Sequence, residues 1–405
     1  MEKSTKELRL RTKGILPVQK LRLLCETGII SADSDFPIGE DQFQPNSLDL
    51  RLGTTAHRVR CSFLPEDETV QQKIDKLHQY TFSIENGAVL EPNCVYIIPL
   101  LESLALPHSH YHSQKRLFNG NNPTDPVPLF SEENLSAKAN PKSTTGRLDI
   151  FTRVITDYSH RFEEIEPGYQ GRLYLEVVPK SFPIKVKTGQ KLNQLRIRHG
   201  YTVLSDQDLL RIHETDPLLF NEKGTPVSLN SLKVNRGLFL GVNLLGNKDD
   251  IVGYKAKKHR DFIDLGKINH YSISDFWEPI QARPDEHLIL EPEAFYIFAS
   301  RERCRIPVHL AAEMIAYDTG SGELRTHYAG FFDSGFGGTV EDKGARAVLE
   351  VRSHDVPFLI EHGQTFCSMK FEPNTEAPQF VYGSGGIKSN YQGQGLKLGK
   401  HFKDS

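Results

Sequence analysis

At 405 residues the chain is longer than one ordinary hydrophobic core, so two domains are expected. Its 49 basic and 52 acidic residues nearly cancel, which argues against nucleic acid or a membrane surface as partner but not against a local patch for a small polyanion. Hydrophobic content of 38% and charged content of 25% fit a globular protein, and no apolar run approaches a membrane span.

Residues 1–13 are highly charged and lack an apolar stretch, so no signal peptide is expected and a cytoplasmic location is. Val18, Leu21, Leu24 and Cys25 recur at helical spacing after Pro17, and Gly28 ends the helix. Gln44-Pro45-Asn46-Ser47-Leu48-Asp49-Leu50-Arg51-Leu52-Gly53 alternates apolar and polar residues from Leu48, a strand stopped by glycine. Val95 to Leu100, Arg172 to Val177 and Pro183 to Ile197 read as further strands, the last folded about Thr188-Gly189. Residues 108–130, with three prolines, read as a surface excursion that is either solvated or covers a pocket or subunit contact. A helix over 206–212 falls in a connector, and helices are otherwise few. Many short strands between Gly and Pro turns predict an all-β barrel or double-sheet fold.

The chain repeats itself. Leu175-Glu176-Val177, Pro183 and Gly189-Gln190 return as Leu349-Glu350-Val351, Pro357 and Gly363-Gln364 at a constant offset of 174. Leu90-Glu91-Pro92, Tyr96-Ile97 and Pro107 return 200 positions later as Leu290-Glu291-Pro292, Tyr296-Ile297 and Pro307. The duplication divides the chain into a first β domain (1–200), a linker (201–236), a second β domain (237–380) and a glycine-rich tail (381–405) expected to be mobile without ligand.

Three places carry potential chemistry. Lys142-Ser143-Thr144-Thr145-Gly146-Arg147 concentrates two cations, three hydroxyls and a glycine, which suits phosphoryl oxygens but equally describes a solvated turn. Glu166 in the first copy and Asp333 in the second precede or follow Gly-aromatic turns, either a sugar recess or an ordinary hairpin. Glu176 and Glu350 stand in apolar strands; facing inward, desolvation would raise their pKa toward that of a general base, and facing outward they would be solvated. G-x-S-x-G, H-x-E and H-E-x-x-H are absent, and the five scattered cysteines lack C-x-x-C spacing, so they read as free thiols of a reducing compartment.

Together these stretches resemble the dCTP deaminases. Gln44-Pro45-x-Ser47-Leu48-Asp49-Leu50-Arg51-Leu52-Gly53 resembles their opening strand, Lys142-Ser143-Thr144-x-x-Arg147 their R-S-S-x-x-R loop, and Glu166-Pro167-Gly168-Tyr169-x-Gly171-x-x-x-Leu175-Glu176 their D-P-G-[FW]-x-G-x-x-x-L-E hairpin. Gly189-Gln190-x-x-x-Gln194 and Tyr382-Gly383-Ser384 through Gln394 resemble the following strand and the C-terminal segment. The chain looks like a long, internally duplicated form, in the superfamily of the trimeric dUTPases.

The resemblance implies tandem dUTPase-like distorted β-barrel or double-sheet domains, mainly β with few short helices. It implies hydrolytic deamination of dCTP to dUTP and ammonia without a catalytic metal or cofactor, Mg2+ entering as the triphosphate counterion. Glu176 or Glu350 would be the base, with Ser143 and Arg147 stabilising developing charge. Lys142, Ser143, Thr144, Arg147 and, in the second copy, Ser321 and Arg325 would bind phosphate. Glu166 and Asp333 would bind deoxyribose, and Tyr382, Lys388 and Gln394 would close over the nucleotide. A homo-oligomer and dTTP as inhibitor are further implications; a dUTPase, a bifunctional enzyme and a non-catalytic nucleotide-binding protein are the rivals. Two departures stand out: Lys142 replaces an arginine, and in Gly320-Ser321-Gly322-Glu323-Leu324-Arg325 the first cation is missing. The first copy therefore keeps the better phosphate loop and the second the better sugar residue, which suggests one composite site between domains.

Overall fold

Apolar alternation in short strands produces two similar β halves. The computed structural model describes residues 13–107, 135–246, 249–316, 324–326, 330–353, 355–384 and 395–403. In the first half one sheet runs His78–Ser83, Thr55–Val59, Val95–Ala105, Gln170–Pro179, Ile150–Ile155, with Ile30–Ala32 on Val95–Ala105. The second half repeats this as Trp277–Gln281, Ile251–Ala256, Phe295–Cys304, Ala345–Ser353, Leu324–Thr326, with Leu219–Phe220 on Phe295–Cys304. A second sheet in each half centres on Lys191–His199 and Thr365–Pro373, flanked by Leu135–Pro141 and Leu310–Ala316.

The repeat extends to register and single hydrogen bonds. Glu176 lies opposite Ile97, and Glu350 opposite Ile297. The Glu91 N–H donates to the Tyr96 hydroxyl (3.1 Å), and the Glu291 N–H to that of Tyr296 (2.9 Å). The expected helix is Val18–Glu26, with Val18, Leu21 and Leu24 buried and Gly28 just beyond it at φ +80°. A helix at Val70–Leu77 was not expected; Thr69 and Gln72 cap it reciprocally, and that T-x-x-Q pair was its sequence signal.

Two segments differ from expectation. The segment 201–236, read as a linker, instead joins the second half: helix Asp206–Thr215 and strand Leu219–Phe220 bury Leu209, Leu218 and Leu219 in its core. The end of the tail also contributes to a core, because Leu398 and Phe402 join the apolar cluster that both halves share. Phe402 meets Tyr271, Phe276 and Trp277, an aromatic cluster that glycine content could not reveal. The glycine-rich residues 385–394 and the excursion at 108–130 lie outside the described residues.

The halves share their interior. Ile263–Asp264 of the second half pairs in parallel with Ile184–Val186 of the first, and Ile263, Trp277, Phe295 and Val348 sit in the first-half core. Polar contacts cross the same boundary: Lys138 pairs with Glu313 at 2.7 Å, and Asn140 donates to Glu313 at 2.9 Å. Among the described residues no helix is long and apolar enough to cross a membrane.

Candidate active site

The polar stretch from Lys142 to Arg147 folds as one helical turn, Ser143–Gly146, at the end of strand Leu135–Pro141. The Lys142 N–H and the Thr145 hydroxyl both donate to Leu192 O, at 2.9 and 2.7 Å, which fastens the turn to the neighbouring strand. Ser143 is left exposed and Thr144 half-buried, both at the turn's outer edge. Lys142 Nζ pairs with Asp49 Oδ1 at 2.5 Å. Arg147 is buried, and its Nη1 donates to Lys397 O of the C-terminal segment at 2.9 Å.

Onto this first-half turn the second half brings a carboxylate. Glu350 rests against Gly146 so closely that a Cβ there would lie 2.8 Å from Oε2 and 3.0 Å from Oε1. Glu350 is buried, and desolvation pushes its carboxyl up to about 8, with Asp149 reinforcing the rise and the Arg147 guanidinium opposing it. That places a carboxyl that titrates near neutral pH beside the Arg147 cation, on the turn that carries Ser143 and Thr144.

Asp333 also comes from the second half and reaches first-half partners. Its Oδ1 pairs with Arg196 at 2.8 Å, and Ser47 Oγ lies 3.5 Å from Oδ2. Burial raises its carboxyl from the ordinary range, with Arg196 and then Lys142 opposing. The next residue is anchored likewise: the Ser334 N–H and Oγ both donate to Asn46 Oδ1 at 2.8 Å. The opening stretch Asn46-Ser47-x-Asp49 thus holds both the Asp333 hairpin and Lys142. Tyr382 packs on that segment, its N–H donating to Ser334 O at 2.8 Å and its ring 5.6 Å from Phe336.

The duplicated partner residues sit differently. Glu176 is fully buried because both faces of its strand are covered from Leu173 to Pro179. Its Oε1 accepts from Arg153 Nε and Nη2 at 3.0 and 2.6 Å, and the guanidinium lies over the rings of Phe162 and Phe151. Its Oε2 is buried without a hydrogen bond among the described residues. Glu166 is exposed, on the rim of a cleft of about 190 Å³ with Ser136, Arg198 and Tyr201. Arg325 lies in strand Leu324–Thr326 opposite Arg352, while Ser321, Lys388 and Gln394 lie outside the described residues.

Several residues at the site had no assigned role in the sequence. Asp49 and Ser47 stood within a quoted motif, and Arg196 interrupts the apolar pair Leu195 and Ile197, so each left a trace. Lys400 left none. Burial lowers its ammonium pKa, and the Lys142 charge adds to this. Its segment is pinned beside the turn, with Gly399 against Leu148 and the Asn269 N–H on Lys400 O at 2.9 Å.

Comparison with known proteins bears on this arrangement. The family model described as the 2'-deoxycytidine 5'-triphosphate deaminase (DCD) N-terminal domain matches residues 12–115 and 128–201. The model described as the C-terminal domain of the same deaminase matches residues 205–402. The interruption in the first match falls inside the excursion at 108–130. The crystal structure of 2'-deoxycytidine 5'-triphosphate deaminase from Agrobacterium tumefaciens is 42% identical, covers 93% of this chain and is itself covered completely, with a TM-score of 0.79. The "dCTP deaminase, dUMP-forming" of Methanothermobacter thermautotrophicus is 27% identical over 166 residues, 40% of this chain and 68% of that protein. The protein of the same name from Corynebacterium jeikeium is 32% identical over 118 residues, 28% of this chain and 59% of that protein.

Proposed function

Because the chain belongs to the dCTP deaminase family, we propose that it is a hydrolase converting dCTP and water to dUTP and ammonia at the site between its halves. The observation carrying this reading is the Glu350 carboxylate, raised to about 8, against the Ser143–Gly146 turn. In this reading Lys142, Ser143, Thr144 and Arg147 receive the phosphates, whose counterion is Mg2+, and Asp333 accepts a hydrogen bond from the deoxyribose hydroxyl. Ionised Glu350 holds a water against C4 of the cytosine ring and takes its proton as the C–O bond forms. It passes that proton to ring N3, then takes the second proton from the hydroxyl now on C4 and gives it to the exocyclic nitrogen, so that ammonia leaves and the carbonyl and N3–H of uracil remain. Arg147 and Ser143 stabilise the charge that builds on the ring. Desolvation matters because the ring is a weak electrophile: a carboxylate of ordinary pKa would be a poor base for water.

Glu350, not Glu176, is the working acid in this proposal, since Glu176 is committed to Arg153. Incubation with dCTP should release ammonia and dUTP in equal amounts; no ammonia from dCTP would remove the proposal. A second reading, deamination followed by loss of pyrophosphate to give dUMP, is favoured by the names of the Methanothermobacter and Corynebacterium relatives. Pyrophosphate released in step with ammonia would establish it over the first.

A further inference from the structure

Arg352 lies two residues beyond Glu350 on strand Ala345–Ser353, and alternate residues of a strand share a face. Its guanidinium crosses between the halves: Nη2 donates to Asp149 Oδ2, and Nη1 to the backbone carbonyl of Glu293. Asp149 closes the phosphate turn. Its N–H donates to Gly146 O at 2.9 Å, its φ is +56°, and its Oδ2 also accepts from Ser181 Oγ at 2.5 Å. Asp149 is 0% and Arg352 6% exposed. A buried ion pair of this kind often adds no net stability over apolar residues of similar volume, so stability alone gives weak reason for it.

We propose that the Asp149–Arg352 pair is a positioning device for Glu350, tying the strand that carries the base to the turn that carries the phosphate-binding groups, one partner from each half. The inference rests on Glu350 being the base. Two charges face Glu350 from the turn, Arg147 and Asp149, while Gly146 adds no side chain. Its own strand supplies Arg352, whose second partner is Glu293, and its cross-strand neighbour Ile297 is apolar. Asp149 is therefore the acidic member of that set; it acts through Glu350 rather than on substrate.

Asp149→Asn is the informative substitution. Asparagine has the same shape, keeps an acceptor for Ser181 and suits a positive φ, so only the charge is lost. The kcat is expected to fall at least about tenfold with KM for dCTP changed less than about threefold. The acid limb of the kcat profile should move to lower pH, because the negative charge that helps hold the Glu350 carboxyl up is gone. A merely structural residue would lower the melting temperature without moving that limb. The double variant Asp149→Asn/Arg352→Gln leaves neither charge buried alone, so it should melt near the wild-type temperature while kcat stays low. Wild-type kcat and an unmoved limb in Asp149→Asn, or full recovery of kcat in the double variant, would overturn the inference. Glu350→Gln, assayed beside them, separates the two readings: full activity there removes the base assignment itself, whereas inactivity there with an unaffected Asp149→Asn removes only the positioning role.

Discussion

The carboxylate of Glu350 packs on the bare backbone of Gly146, a residue 204 positions earlier in the chain and in the other half of the molecule. Any side chain at 146 would occupy the space of the acid. The proposed base and the turn that would hold the phosphates therefore come from different copies of the duplicated unit, and Asp333 repeats the pattern by pairing with Arg196.

Gly146→Ala tests that contact. Gly146 lies in a helical turn, where alanine is favoured by about 1 kcal/mol, so backbone strain is not introduced. The added Cβ would instead displace the carboxylate. The kcat should fall by about 100-fold or more while the melting temperature changes by only a few degrees. Activity within about threefold of wild type would mean that Glu350 need not sit where it does.

The pH dependence follows from the raised Glu350 carboxyl. The base acts when ionised, so kcat/KM should climb with pH and reach half its plateau near 8, far above the ordinary carboxylate value of 4.5. Stability moves the opposite way. Between 4.5 and about 8 the folded state keeps this proton and the unfolded state releases it, so the group opposes folding more strongly as pH rises through that window. Glu163, also pushed up to about 8 by burial, adds the same sign. Urea unfolding from pH 5 to 8 should show stability falling less steeply in Glu350→Gln than in wild type.

Glu176→Gln should behave as a structural substitution. It removes the charge that pairs with Arg153, leaving a partly buried guanidinium over Phe162 and Phe151. A loss of about 1–3 kcal/mol in urea unfolding is expected. Deamination at saturating dCTP should stay within about threefold; a collapse of kcat with unchanged stability would assign the chemistry to the first-half acid.

Arg147 and Arg325 are the cations that the family resemblance assigns to corresponding positions in the two copies. Arg147 stands beside Glu350 and carries Lys397 O, so Arg147→Ala should cost about 100-fold or more in kcat/KM. Arg325→Ala should cost only a few-fold. Steady-state kinetics of both variants decide the matter, and equal losses would argue for two equivalent sites.

Much of this was legible in the sequence because duplication is a strong signal. The paired offsets located both strand acids, and the strand register places Glu176 and Glu350 opposite residues from the same repeat, Ile97 and Ile297. The Lys142 to Arg147 stretch stood out by composition, which left a solvated turn equally open, and it folds as a turn whose outer residues Ser143 and Thr144 are exposed and half-buried. Contacts across the two halves were not legible. Nothing near Gly146 announces Glu350, and nothing near Asp149 announces Arg352, because each pair is made by docking rather than by spacing. Likewise the strand alternation around Glu176 left its direction open; only the cover on both faces of that strand buried it. The C-terminal segment misled for a related reason, since the glycines preceding it say nothing of where Leu398 and Phe402 find apolar partners.

The most direct test of a single working acid is ammonia release from dCTP by Glu350→Gln and Glu176→Gln, measured side by side with dCTP binding. Glu350→Gln is expected to bind dCTP and lose about 1,000-fold or more of its turnover, while Glu176→Gln continues to release ammonia. Undiminished ammonia release by Glu350→Gln would contradict that assignment.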